Sequence, residues 1–358
     1  MLKATMETYL KMLTYKRPHK SYEEQEFLFD FIDPIPGMES DKFGNRILKI
    51  GDAPRTCFSA HVDTVHHKGG KQTVIYDTVN LLAYKEDKEC LGADDASGCI
   101  VLMKLIEEEV PGLYIFHRGE ERGGLGSKWI AKNTPEIFEG IDHCVAFDRR
   151  ATKSIITHQR SQRCCSQDFV DALALQFMSK GPDPMEFEAD DGGSFTDSAS
   201  YTKLISECTN ISIGYYDEHT SSETQDLEFL QKMMDNVPKI DWNDLPAVRD
   251  KTKVERKQYN YGNYGGYGGY DWRERGAGNV SQLPKQTHNS TALFPTTYSL
   301  NKETNEMEAQ PLKWYQLVKF VRQFPHVAAD ILEEMDITPA ELQVYIDQDN
   351  FWTANNYD

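Results

Sequence analysis

The stretch Cys57-Phe-Ser-Ala-His61-Val-Asp63-Thr-Val65 decides how this chain is interpreted, because a β-prone apolar run ends in a histidine and an aspartate follows it. Other short apolar runs lie at 47–50, 113–116, 144–147 and 211–213, and segments with helical periodicity, such as 6–13 and 22–32, alternate with the runs. This alternation predicts an α/β fold of three layers, α/β/α, with a central mixed sheet.

Metal-capable side chains follow four apolar runs, at 56–60, 113–116, 144–147 and 211–213. They are His61, the pair Glu120-Glu121, Asp148 and His219. In an open α/β sheet the carboxyl ends of the strands meet at one edge, where ligands bind. We therefore expect these side chains to lie together, although they are far apart in sequence.

A further acidic pair, Asp94-Asp95, precedes a helix predicted over 99–109. An aspartate at this position can bridge two cations with its two oxygens, and it can also cap the helix. Because there are two aspartates, one can bind metal while the other caps. Gly98 permits a close approach of this helix to the sheet.

Together these positions supply what a hydrolase with two metal ions requires, namely two imidazoles, three ligating carboxylates and one spare carboxylate. Glu120 and Glu121 are adjacent, so one can bind metal while the other accepts a proton from water. Asp63 is expected to accept a hydrogen bond from the far nitrogen of His61 and so to fix the tautomer of that imidazole.

Three of these segments resemble, in order, motifs of the co-catalytic zinc exopeptidases, a superfamily of aminopeptidases and carboxypeptidases with one α/β/α fold. The segments are His61-Val-Asp63-Thr-Val65, Gly92-Ala-Asp94-Asp95-Ala-Ser-Gly98 and Gly119-Glu120-Glu121-Arg-Gly-Gly-Leu-Gly-Ser127. Phe147-Asp148 and His219-Thr220 match the last two ligands of that superfamily. The resemblance covers about residues 20–235.

The resemblance implies two ligand sets that share one aspartate. One metal ion would be held by His61, Asp94 and Asp148, and the other by Asp94, Glu121 and His219, with Glu120 as the general base. The cofactors implied are two zinc ions, although imidazole and carboxylate ligands also suit manganese or cobalt. The activity implied is hydrolysis of a peptide substrate by a metal-activated water.

Spacing favours the lidless aminopeptidase branch of the superfamily. His61 and Asp94 are 33 positions apart, too few for the inserted domain of some relatives, and the 71 positions from Asp148 to His219 leave little room for a dimerisation lid. The first motif also looks like that of the carboxypeptidase and deacylase branch. Carboxypeptidase, dipeptidase and N-deacylase activities therefore stay open, as does a non-catalytic binding or assembly protein that retains the metal pocket.

Composition argues against several other classes of protein. A formal charge of −18 disfavours nucleic acid as a partner, and no apolar run approaches the length of a membrane span. The beginning of the chain lacks the apolar region of a signal peptide. Seven cysteines without a CxxC pair indicate reduced thiols, and hence a cytoplasmic protein.

The sequence divides into three regions. Residues 1–238 are predicted to form the catalytic unit, and residues 239–309 a flexible linker that contains the low-complexity Tyr/Gly tract at 259–270. Residues 310–358 show helical periodicity and many acids, which predicts a small helical module that contacts another protein.

Overall fold

An eight-stranded mixed sheet forms the centre of the computed structural model, which describes residues 3–256 and two further strands, Thr297–Leu300 and Met307–Gln310. These two further strands pair antiparallel with each other. In chain order, the strands of the central sheet are β1 Glu39–Ser40, β2 Arg46–Ile50, β3 Thr56–His61, β4 Gly112–His117, β5 His143–Arg149, β6 Ser154–Ile156, β7 Glu188–Asp190 and β8 Glu207–Ser212.

The strands lie side by side in the order β7-β6-β8-β5-β3-β4-β2-β1. The four central strands β8, β5, β3 and β4 are parallel to one another, so their carboxyl ends share one edge. Strand β2 is antiparallel to β4, and β6 is antiparallel to β8. The metal-capable side chains lie at the edge formed by the four parallel strands.

Six α-helices accompany the sheet within residues 3–256. They are α1 Met6–Met12, α2 Tyr22–Phe27, α3 Ala93–Glu107, α4 Leu125–Asn133, α5 Gln167–Ser179 and α6 Leu227–Asn236. Side chains of Thr5, Ser21, Ser166 and Asp226 each accept a backbone N–H in the first turn of a following helix. These residue types satisfy amides that have no partner inside the helix, and so they fix where each helix begins.

Both faces of the sheet are covered, as a three-layer fold requires. Alternate residues of a strand point to opposite faces. On one face the ring of Phe58 packs on Tyr114 and on Trp242, with centroid distances of 5.1 and 4.9 Å. On the other face His117 contacts Tyr201, which belongs to a 3₁₀ turn that packs against α4. The predicted α/β fold with a central mixed sheet is confirmed.

A small four-stranded sheet carries the loop that holds His219. Its strands are Tyr215–Tyr216, Thr224–Asp226, Leu82–Tyr84 and Ile75–Asp77, in that spatial order. His219 lies between the first two of these strands, which form an antiparallel hairpin. The hairpin turns the chain back over the carboxyl edge of the central sheet.

Packing continues beyond the predicted boundary at residue 238. Trp242 and Leu245 are buried, and the Arg249 side chain donates hydrogen bonds to three backbone carbonyls. These three residues of the predicted linker region are therefore packed on the core. The Tyr/Gly tract and the predicted module at 310–358 lie outside the described residues, apart from Gln310.

No helix among the described residues has the length and apolar character needed to cross a membrane.

Candidate metal centre

His61 is the last residue of β3 and so lies at the carboxyl edge of the sheet. Its Nδ1 donates to the backbone carbonyl of Asp63 at 3.0 Å. In the neutral tautomer its Nε2 therefore carries a lone pair, yet this atom lies 3.0 Å from Asp94 Oδ1 and 3.5 Å from Asp148 Oδ1. Three electron-rich atoms that face one point need a proton or a cation between them.

The electrostatics of His61 agree with this geometry. Burial opposes a charge on the imidazole, but the carboxylates of Asp148 and Asp94 outweigh it and hold the pKa of His61 well above its ordinary value. The field that would retain a proton on Nε2 would equally favour a metal ion there.

The carboxylate of Asp63 has a role different from the one predicted. It lies 3.8 Å from the Nδ1 of His61, so the backbone carbonyl, and not the carboxylate, fixes the tautomer. The carboxylate instead accepts the backbone N–H groups of Gly119, Glu120 and Glu121 at 2.7, 3.0 and 3.3 Å. Asp63 thus holds the loop that presents the two glutamates, because its two carboxylate oxygens together accept three backbone N–H groups of that loop.

Asp94 joins the two histidines. Its Oδ1 faces His61 Nε2 and its Oδ2 faces His219 Nε2, each at 3.0 Å. Burial raises the pKa of Asp94, but hydrogen bonds from the two imidazoles more than offset it and leave the pKa below its ordinary value. The two oxygens of one carboxylate therefore point at two separate sites, as a bridging ligand requires.

Asp95 acts as the helix cap that was expected of one member of this acidic pair. Its carboxylate accepts the backbone N–H of His61 at 3.0 Å and that of Gly98 at 2.8 Å. It therefore ties the end of β3 to the first turn of α3. Gly98 is also required by packing, since a Cβ there would lie 2.5 Å from the backbone oxygen of Phe147.

Glu121 and His219 complete the second set. Glu121 Oε1 lies 2.9 Å from His219 Nε2, although this buried oxygen has no hydrogen bond of acceptable geometry within the described residues. Two ligands that point at a common ion, rather than at each other, have this arrangement. Burial and the neighbouring charge of Asp94 raise the pKa of Glu121 to about 7.

Asp148 lies in β5 at a β-bulge, where the pairing with β8 shifts by one residue. The side chain of Asn210 bonds both the N–H and the carbonyl of Asp148, at 2.9 and 2.8 Å. Thr196 Oγ1 and the Tyr215 hydroxyl donate to its two carboxylate oxygens at 2.6 and 3.1 Å. A bulge re-aims a strand residue, and these bonds hold Asp148 toward His61.

Glu120 is half-buried on the same loop as Glu121. Its carboxylate lies within 4.8 Å of ligand atoms of His61 and Glu121. Burial, together with the charges of Asp148 and Glu121, holds its pKa well above the ordinary value despite the opposing effect of His61. Glu120 is absent from the two predicted ligand sets, so its carboxylate is available to exchange protons.

The structure brings every predicted ligand into one cluster. Three groups have ligand atoms that all lie within 4.8 Å of one another; they are His61/Asp94/Asp148, Asp94/Glu121/His219 and His61/Glu120/Glu121. The first two are the predicted sets, with Asp94 common to both. Imidazole and carboxylate donors in such groups suit zinc and similar divalent ions.

Two positioning residues were missed by the sequence analysis. Glu223 is buried and accepts the backbone N–H groups of Gly92 and Asp94 at 2.9 and 3.0 Å. Arg17 is also buried and donates to the carbonyls of Val62 and Gly92, at 2.6 and 3.0 Å. Both side chains bond backbone groups of other segments, and only the folded chain reveals such partners.

Comparisons with known proteins give a likeness of fold. No protein-family model and no curated protein matches this chain. Among solved structures, it is similar to the TET1 peptidase of Pyrococcus horikoshii, with a TM-score of 0.50 and 15% identity, over 65% of this chain and 98% of that chain. It is similar also to a tripeptidase of Staphylococcus aureus, with a TM-score of 0.50, 13% identity and coverages of 65% and 96%. A TET aminopeptidase of a marine-sediment thaumarchaeon gives a TM-score of 0.50, 14% identity and coverages of 65% and 95%.

Proposed function

We propose that this protein is an aminopeptidase that removes the N-terminal residue of peptides with the help of two divalent metal ions, most simply zinc. The observation that carries the proposal is the pair of ligand groups that share Asp94 while Glu120 stays outside both. The names of the structural neighbours, a peptidase, a tripeptidase and an aminopeptidase, support a peptide as the substrate.

Each residue of the cluster has a proposed role. His61, Asp94 and Asp148 would hold one ion, and Asp94, Glu121 and His219 the other. Bound there, two such ions supply Lewis acidity toward the scissile carbonyl and toward a water molecule. Glu120 then accepts a proton from the attacking water and delivers it to the leaving amine.

The remaining residues keep these groups in place. Asp63 orients the Glu120 loop through three backbone amides, and Thr196 and Tyr215 orient Asp148. The side chain of His219 is about half exposed, so a substrate would approach the cluster from the side of His219. A reducing, cytoplasmic location is part of the proposal, since all seven cysteines are buried and unpaired.

A panel of blocked peptides tests the proposal. The full chain, loaded with zinc, is incubated with one tripeptide in three forms: free at both ends, acetylated at the N-terminus, and amidated at the C-terminus. We expect release of the first residue wherever the amine is free, and no cleavage of the acetylated form. A chelator should abolish activity, and added zinc should restore it.

The other outcomes identify the alternatives. Cleavage that requires a free C-terminal carboxylate, and that also occurs in the acetylated peptide, would indicate a carboxypeptidase. Removal of the acetyl group alone would indicate an N-deacylase. Absence of zinc-dependent hydrolysis in all three peptides would leave a binding or assembly protein that retains the pocket.

A further inference from the structure

Two exposed cations, Lys128 and Arg160, share one aromatic ring beside the metal-ligand cluster. The Nζ of Lys128 lies 5.3 Å from the ring centroid of Phe195, and the guanidinium carbon of Arg160 lies 4.5 Å from it. The two residues come from different elements, since Lys128 belongs to α4 and Arg160 to a tight hairpin between 158–159 and 162–163. A cation that stacks on an aromatic face is partly preorganised while its charge stays accessible.

Phe195 packs beside the loop that presents Glu120 and Glu121. A Cβ on Gly124, at the end of the Glu120 loop, would lie 2.5 Å from the Phe195 ring, so the ring packs directly on that loop. The residue after Phe195 is Thr196, whose hydroxyl donates to Asp148 at 2.6 Å. Phe195 and Thr196 therefore connect the two cations to Asp148, which is a predicted metal ligand.

The hairpin that carries Arg160 is anchored to the segment of the chain that contains Phe195. Gln159 donates to the hydroxyl of Ser198 at 2.9 Å and accepts the N–H of Thr196 at 3.2 Å. The backbone N–H of Arg160 donates to the carbonyl of Gly193 at 3.2 Å. These bonds on either side of Phe195 fix the place of Arg160 relative to the ring.

Neither cation forms an ion pair with a carboxylate of the described residues, although the chain carries a formal charge of −18. Two arginines that directly follow the ligand Asp148 are both paired: Arg149 lies 3.1 Å from Asp190, and Arg150 lies 3.2 Å from Glu218. Burial raises the pKa of the Asp197 carboxyl, and Lys128 helps to lower it without contacting Asp197 as an ion pair. Two cations that form no ion pair within the described residues, held on one ring, are arranged to receive an anion of the substrate.

We propose that Lys128 and Arg160 bind the free C-terminal carboxylate of a short peptide whose N-terminal residue lies at the metal-ligand cluster. This inference rests on the proposed aminopeptidase function and adds a substrate class to it, namely unblocked peptides of about three residues. An extended chain spans at most about 3.3–3.6 Å per residue, so a tripeptide reaches about 10 Å. The proposal requires the two cations to lie within that reach of the metal-ligand cluster, to which Phe195 is joined by its packing on Gly124 and by the bond of Thr196 to Asp148.

The test compares trialanine with trialanine amide as substrates of the zinc-loaded full chain, with the released alanine identified by mass. We expect kcat/KM to be about tenfold higher for the free acid, because its carboxylate meets two exposed cations. The variants Lys128→Gln and Arg160→Gln should each reduce this preference several-fold, and the double variant should abolish it. Cleavage of the amide should be unchanged.

Lys132→Gln is the matched control, because Lys132 is exposed on α4 one turn beyond Lys128. It should keep the wild-type preference. Equal cleavage of acid and amide by the wild type, or a preference that survives in the double variant, would overturn the carboxylate receptor while the aminopeptidase proposal stands. A preference that follows an acidic side chain in an amidated peptide would also overturn it. If neither peptide is cleaved, binding of both to the zinc-loaded Glu120→Gln variant, measured by calorimetry, decides whether the receptor exists without the activity.

Discussion

The interior of the central sheet and its carboxyl edge are built on the same four parallel strands, but different forces stabilise them. In the interior, Phe58, Tyr114 and Trp242 are buried against one another, and removal of apolar surface from water is sufficient to stabilise the packing. At the edge, buried carboxylates crowd two imidazoles, and burial and mutual repulsion raise the pKa of Asp148 and of Glu121. The interior is complete in the protein alone, whereas the edge favours a positive charge, either on its imidazoles or on a metal ion.

The largest expected effect separates the chemistry of the edge from its assembly. Replacing Glu120 by Gln should reduce kcat roughly 10²–10⁴-fold, because the amide has no proton-accepting carboxylate. Bound zinc per chain, measured by elemental analysis, should be unchanged. Glu136→Gln, at an exposed position, is the control. A Glu120→Gln variant that keeps full activity would remove Glu120 as the base.

The interior should show the opposite pattern. Phe58→Ala should lower the free energy of unfolding by about 3–5 kcal/mol, because it leaves a cavity among buried rings. The folded fraction should still bind the wild-type amount of zinc. Phe29→Ala is the matched control, since Phe29 is 71% exposed and its loss should cost little. Urea denaturation measures both, and equal effects of the two variants would contradict the packing described for Phe58.

Metal binding should stabilise the folded protein through the ligand cluster at the edge, without a change in the packing of the interior. At a free zinc concentration of 100 times Kd, the free energy of unfolding should rise by about 2.7 kcal/mol for each ion that binds to the folded state. Asp94→Asn should lose this gain, because Asp94 is common to both ligand sets. Asp183→Asn, at an exposed position, should keep it. A thermal shift with zinc that persists in Asp94→Asn would place the bound metal elsewhere.

The smallest effect concerns pH and a buried histidine at the amino end of β5, far along the strand from Asp148. Burial, with the nearby Arg55 guanidinium, lowers the pKa of His143 to about 4 from its ordinary 6.5. The unfolded chain therefore binds a proton more readily between these values, so stability is retained above about pH 6.5 and falls as the pH decreases toward 4. From pH 6.5 to pH 5 the loss should be about 1.5 kcal/mol from this residue.

Urea denaturation at the two pH values measures this dependence in the wild type and in His143→Asn. The variant should lose less stability over the same interval, by about the amount assigned to His143. An identical pH dependence in both proteins would contradict the lowered pKa.

Much of the fold was predictable from local patterns. Apolar runs at 56–60, 113–116 and 144–147 correspond to β3, β4 and β5 within one or two residues at each end, since strand interiors need apolar side chains. The ends of the packed unit were less predictable. Residues 239–256 lack periodicity, but Trp242 and Leu245 fill space on the sheet, and that space exists only after the strands have assembled.

The sequence by itself determined which chemistry is available, because imidazoles and carboxylates follow apolar runs and strand ends of a parallel sheet converge. Only the tertiary structure decided which atoms face each other. That the two oxygens of Asp94 point at different histidines depends on the neighbouring positions of β8, β5, β3 and β4. That Asp63 holds the Glu120 loop, and that Glu223 and Arg17 secure Gly92, depends on backbone groups distant in sequence. The physical reason is that hydrogen-bond and ligand geometry is set over about 3 Å, a scale at which order along the chain says nothing about proximity.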